Sequence, residues 1–134
     1  MGKRATGRKL AMQALYQAET TGEDVGNVFE ELSQREEYLS ETVDFAKELA
    51  CGAWREKQSS DKVITKLSRD WSIERMGKVV SSILRLALYE LNFEKDTPKS
   101  VVINEAVELA KKFSTPEAAK FVNGILGAFV KERG

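Results

Sequence analysis

Apolar residues recur at a spacing near 3.6 along almost the whole chain, and no alternating run of four to eight residues is bounded by hairpin turn residues. This pattern predicts an all-α fold of about seven helices. The first covers about residues 4–19 and buries Leu10, Ala11, Ala14, Leu15 and Ala18 on one stripe. Asp24 is placed to cap a short second helix carrying Val25, Val28, Phe29 and Leu32. A third, from about Ser40 to Lys57, uses Val43, Phe45, Ala46, Leu49, Ala50 and Ala53, with Trp54 closing the face. Ser60 or Asp61 opens a fourth that ends near Trp71. Ser72 opens the most apolar helix, which runs through Met76, Val79, Val80 and Ile83 to Leu91 and is predicted to be central. Residues 92–99 form a polar break with Pro98, the candidate joint between subdomains. The sixth helix carries Val102, Ala106, Ala110 and Phe113. Thr115, Pro116 and Glu117 then stand in the order that starts a helix, and the last one buries Phe121, Val122, Ile125, Leu126 and Phe129. Gly124 within it costs about 1 kcal/mol relative to alanine, which predicts the close approach of another backbone there. Asn123 beside it is expected to be buried and hydrogen-bonded.

A chain of 134 residues is one domain by length and can bury roughly two thirds of its unfolded surface without staples. The single cysteine, Cys51, excludes an intramolecular disulfide and reads as a small core residue, in keeping with a reducing compartment. Histidine is absent, so the commonest general base and metal ligand are both missing. The glycines show neither dinucleotide nor phosphate-loop spacing. With no catalytic constellation, metal set or cofactor motif, a binding protein is expected rather than an enzyme. No apolar run approaches the roughly 20 residues needed to span a bilayer, so no membrane contact is expected and a cytoplasmic location fits best.

Net charge is zero, but its distribution is uneven. Lys3, Arg4, Arg8 and Lys9 give the first nine residues a charge of +4; residues 19–48 hold ten acids against two bases; from Arg55 onward fifteen bases face eleven acids. A local basic field on a balanced protein is how a small domain can hold a polyanion. Taken alone, a basic stretch this short reads as a solvated, frayed terminus before it reads as a site. What distinguishes it is continuity, because Lys9, Gln13 and Tyr16 are neighbours at helical spacing and carry the charge into a polar, aromatic face.

Three strings then occur in order: Ile83-Leu84-Arg85-Leu86-Ala87-Leu88-Tyr89-Glu90-Leu91, Ile103-Asn104-Glu105-Ala106-Val107-Glu108-Leu109-Ala110-Lys111 and Lys120-Phe121-Val122-Asn123-Gly124-Ile125-Leu126. With Arg8, Ala11 and Gln13-Ala14-Leu15-Tyr16, the chain resembles the NusB family of bacterial transcription antitermination factors over essentially its whole length. The resemblance implies one helical domain, 1–134, of two small packed bundles, about 1–70 and 71–134. It implies a non-catalytic protein without cofactor that pairs with the small ribosomal protein NusE. The pair binds boxA-type single-stranded RNA and works with other Nus factors and RNA polymerase to read through terminators, notably in ribosomal RNA operons. Carried over by position, Lys3, Arg4, Arg8 and Lys9 meet RNA phosphates, and Gln13 and Tyr16 hydrogen-bond or stack on a base. Lys120 and Phe121 match a further RNA-facing spot, although Phe121 equally suits the core. Glu74, Val80 and Glu117 fall on the ribosomal-protein surface, with Val80 where relatives often carry an acid. Two lysines among the four N-terminal charges lack the bidentate fork of arginine, so weak RNA binding by the chain alone is expected. An apolar partner surface can also pair with itself, so the chain alone is expected to be a monomer or weak homodimer. Two other readings stay open: a pure protein-interaction module using the acidic block, and the NusB-like accessory domain associated with RNA cytosine methyltransferases.

Overall fold

The computed structural model describes residues 2–69 and 71–133, and these form helices without a strand. The elements are α1 (Lys3–Thr21), α2 (Val25–Ser33), α3 (Ser40–Arg55), α4 (Lys57–Ser68), α5 (Ile73–Met76), α6 (Lys78–Phe93), α7 (Lys99–Phe113) and α8 (Pro116–Arg133). Helix α1 packs on α2, α3 and α6, whereas α7 and α8 pack on each other and on α6. Helix α4 follows α3 in sequence yet lies mainly against α6 and α8.

Local signals account for most boundaries. Gly22 adopts the left-handed conformation at φ 77° and donates its N–H to the Ala18 carbonyl, ending α1. The Asp24 carboxylate accepts from the Asn27 N–H at 3.1 Å, the cap expected for α2. Thr115 Oγ1 accepts from the Ala118 N–H at 3.0 Å, so the Thr-Pro-Glu start of α8 also forms as read.

Among the described residues there are eight helices rather than seven, because the run beginning at Ser72 is broken. Ser72 caps only the single turn α5, and Gly77, at φ 87° and ψ 158°, redirects the chain before α6. A residue with a Cβ does not readily adopt that conformation. The fourth helix also starts earlier than the spacing predicts, at Lys57, with Ser60 and Asp61 inside it. Asp61 is spent on tertiary structure instead, accepting from Arg85 at 2.7 and 2.8 Å.

Helix α6 is central as expected: all twelve residues from Val80 to Leu91 are buried. Its Tyr89 ring lies so close to α3 that a Cβ at Gly52 would collide with it, which is why a glycine stands in that apolar stretch. The expectation for the last helix fails. Asn123 and Gly124 are exposed, and a Cβ at Gly124 would meet nothing within 4 Å, so no neighbouring backbone explains that glycine.

Candidate nucleic-acid interface

The buried stripe of α1 decides which of its cations reach solvent. Leu10, Ala11, Ala14, Leu15 and Ala18 face the core, and Arg8 lies on the same side because positions 8, 11 and 15 share one helical face. Arg8 is only 4% exposed. Its Nε donates to both Glu90 oxygens at 2.9 and 3.1 Å, and its Nη1 donates to Glu105 at 3.3 Å. Burial opposes its charge, but the hydrogen bonds and charges of Glu90 and Glu105 outweigh it and hold the guanidinium pKa above its ordinary value. The expectation that Arg8 meets phosphate is therefore corrected: two carboxylates already surround it.

Lys3, Arg4 and Lys9 remain at the surface. Lys3 makes a solvent-exposed pair with Glu41 at 3.3 Å, which is worth little and readily exchanged for another anion. The Arg4 guanidinium lies 4.4 Å from the centroid of the Phe45 ring. Lys9 extends over Phe113, 5.9 Å from its centroid, and Lys112 approaches the same ring at 5.7 Å. Sequence reasoning missed Lys111, Lys112 and Phe113. The only signal was a Lys-Lys-Phe end to α7, which also reads as cations complementing a helix C-terminus.

Helices α1 and α7 flank a furrow. One hollow of it, about 570 Å3, lies between Gly2, Ala5, Arg8 and Lys9 on one side and Glu105, Glu108, Leu109, Lys111 and Lys112 on the other, four cations with two carboxylates among them. Past the Phe113 ring lies a second hollow of about 610 Å3 to which α1 contributes Gln13, Tyr16, Gln17 and Thr20. Gln13 is half-buried, and Tyr16 is 40% exposed, so its ring is open to solvent on this face.

A second, smaller groove of about 320 Å3 lies at the start of α8, lined by Trp71, Arg75, Met76, Val80, Glu117 and Phe121 among others. Trp71 is half exposed and meets Phe121 edge-on, with centroids 6.4 Å apart and rings inclined by 60°. Arg75 lies over the outer ring at 5.2 Å. Val80, at 5% exposure, is the floor of this groove rather than a projecting contact. Glu117 stands on its rim, exposed in the first turn of α8. Phe121 thus belongs with Val80 and Glu117, neither fully in the core nor on the α1 face. Lys120 and Glu74 are exposed nearby, outside the lining.

The groove and the hollow are neighbours. Val79 lines the hollow and Val80 the groove; Phe113 lines the hollow and Ser114 the groove. One wall, made by the start of α6 and the α7–α8 junction, stands between a polar, aromatic hollow and an apolar groove that carries Arg75 and Glu117. Among the described residues no cluster of three or more His, Cys, Asp or Glu side chains could hold a metal ion. No described helix is long and apolar enough to cross a membrane.

Residues 5–131 match the model of the NusB family. The chain is 40% identical to the transcription antitermination protein NusB of Symbiobacterium thermophilum, covering 96% of this chain and 89% of that one. It is 44% identical to the protein of the same name from Geobacter sulfurreducens, over 94% and 92%. Among solved structures, a crystal structure of antitermination factors NusB and NusE in complex with double-stranded RNA superposes with a TM-score of 0.89 at 34% identity, over 98% of both chains. NusB of T. maritima gives a TM-score of 0.89 at 36% identity, over 98% and 92%.

Proposed function

Since the chain belongs to the NusB family, we propose that it is a non-catalytic antitermination factor that binds RNA jointly with NusE. The finer reading is that the RNA is a single-stranded boxA-type element and that the complex, with other Nus factors and RNA polymerase, promotes read-through of terminators in ribosomal RNA operons in the cytoplasm. The observation that carries it is the shared wall: a cationic, aromatic furrow suited to RNA adjoins an apolar groove suited to a protein, so one RNA can touch both bound components.

On the RNA side, Lys3, Arg4 and Lys9 supply phosphate contacts and Tyr16 and Gln13 face the strand, with Lys120 as a further cation. On the protein side, Trp71 and Phe121 form the aromatic walls, Val80 the floor and Glu117 the acidic group on the rim, with Glu74 exposed nearby as a second acid toward a basic ribosomal protein. An apolar floor replaces a salt bridge at Val80.

Titration of labelled boxA-type RNA and a scrambled control, with the protein alone and with NusE, tests the reading. Weak, selective binding that strengthens with NusE is expected. Equal binding of both RNAs in both states would overturn it, and NusE capture without any gain in RNA affinity would favour a protein-interaction module instead.

A further inference from the structure

The first turn of α1 forms against the tendency of its own sequence. Gly2 at the N-cap has no side chain to accept the orphan N–H groups, and the turn carries no acid. Its charges are cations, which oppose the positive end of the helix dipole, and Arg4 and Arg8 repel each other at i and i+4. Chain termini with these features fray. Yet the helix begins at Lys3, and the Thr6 N–H donates to the Gly2 carbonyl at 3.0 Å to close the turn.

What holds the turn comes from α3. The Phe45 ring lies beneath both guanidinium groups, its centroid 4.4 Å from that of Arg4 and 5.5 Å from that of Arg8. It reaches them because Gly7, between them in the sequence, has no side chain: a Cβ there would stand 2.8 Å from a carbon of the ring. Two cations one turn apart thus share one aromatic ring, whose electron-rich face offsets part of their repulsion. Their other contacts differ. Arg8 is buried and fixed by Glu90 and Glu105, whereas Arg4 is exposed and forms no ion pair among the described residues. A ring contact engages the charge of Arg4 without consuming an N–H donor, so its fork stays open to a phosphate. Lys3 reaches α3 through its exposed pair with Glu41, which is too weak to order a helix start.

We propose that Phe45 is a positioning residue for RNA binding: from α3 it holds the first turn of α1 helical and sets the Arg4 guanidinium where a phosphate of the bound strand meets it. The proposal rests on the RNA-binding reading above and adds to it a residue that acts without touching RNA. Once the ring is gone, Arg4 has to be ordered at the moment of binding, and affinity falls by the cost of that ordering.

The test measures affinity for labelled boxA-type RNA with NusE present. The proteins compared are the unmodified chain, Phe45→Leu, Phe45→Met, Phe45→Tyr, Arg4→Ala, and Arg4→Ala combined with each ringless change. Leucine and methionine keep apolar volume without the ring, and thermal melting selects the one that better keeps the fold. Loss of the ring is expected to weaken RNA binding about two- to fivefold, the range of an exposed cation–π contact. It should also shallow the log-log salt slope by up to roughly 0.7, the share of one phosphate contact. Tyrosine should restore both. In the Arg4→Ala background the ringless change should cost nothing further, because the ring acts through that side chain. Amide exchange at Thr6 should accelerate while core amides keep their protection, which separates an opened first turn from a loosened fold. A ringless chain with unchanged affinity, beside a weakened Arg4→Ala chain, overturns the positioning role and leaves RNA binding standing. Equal losses from the ringless change with and without Arg4 overturn it as well, since the ring then acts on stability alone. No binding of any RNA by the unmodified chain with NusE overturns both.

Discussion

Removing the Arg8 guanidinium would strand the Glu90 carboxylate, 1% exposed, without its main partner. Breaking a buried pair from one side typically costs about 3–5 kcal/mol, whereas replacing both members by apolar groups is often neutral. Arg8→Ala is therefore expected to lower the urea midpoint sharply, while Arg8→Met combined with Glu90→Leu recovers most of the loss. Lys9→Ala should leave the midpoint unchanged and weaken RNA binding, and with Arg4→Ala it should shallow the log-log salt slope by about 1.4, at roughly 0.7 per phosphate contact. The two neighbours look alike in composition. The difference was legible in the spacing, since Arg8 is in register with Ala11 and Leu15, but the acids that receive it lie more than eighty residues away and leave no local trace. Phe113 and Lys112 were illegible for the same reason: their relation to Lys9 exists only once α7 lies beside α1.

Glu94 offers a residue-scale test in pH. Burial raises its pKa, the charges of Glu48, Glu90 and Asp96 raise it further, and Arg4 partly opposes them. The folded chain thus holds a proton that the unfolded chain has already released, so this group's contribution to stability falls as pH rises from the usual carboxylate pKa through the raised one. Glu94→Gln is expected to increase the denaturant midpoint at pH 7 and to remove that part of the pH dependence. An unchanged midpoint at pH 7 would show that the repulsion is screened.

At the scale of elements, the apolar period located α1, α3, α6, α7 and α8 because each buries a stripe or more against neighbours. It did not locate the break between α5 and α6, since Met76 and Val79 continue the pattern across Gly77 and only the backbone angle at that glycine interrupts it. Gly77→Ala forces a Cβ into a conformation that costs about 1–3 kcal/mol. It should also displace Trp71 and Met76 from the groove, so NusE affinity is expected to drop by more than global stability alone accounts for, as read by calorimetric titration below the melting range. Gly124 behaves oppositely. With ordinary helical backbone and open space around a Cβ, Gly124→Ala is expected to stabilise the chain by about 0.5–1 kcal/mol, raising Tm in a thermal scan.

For the whole molecule, α1 is fastened to α6 at both ends by clusters of opposite polarity. Arg8 of α1 meets Glu90 of α6, and Glu19 of α1 approaches Arg85 of α6, which Asp61 of α4 also holds. Reversing the helix would bring Arg8 to Arg85 and Glu19 to Glu90, and sliding it would unpair both clusters, so they fix its register as well as its direction. On the proposed assignment, the shared wall at Val79, Val80 and Phe113 stands between the RNA side and the NusE side. Their affinities should therefore be linked, each ligand strengthening the other by the same factor. Phe113→Leu is expected to reduce that factor while sparing NusE affinity in the absence of RNA, as a two-ligand titration would show.

The Arg8 cluster also has a consequence in time. Its carboxylates belong to α6 and α7, which leave the ribosome long after α1. Until then Arg8 is one more uncovered cation beside Lys3, Arg4 and Lys9. Completion of the chain withdraws that charge from solvent, and only then does the N-terminus present three cations instead of four.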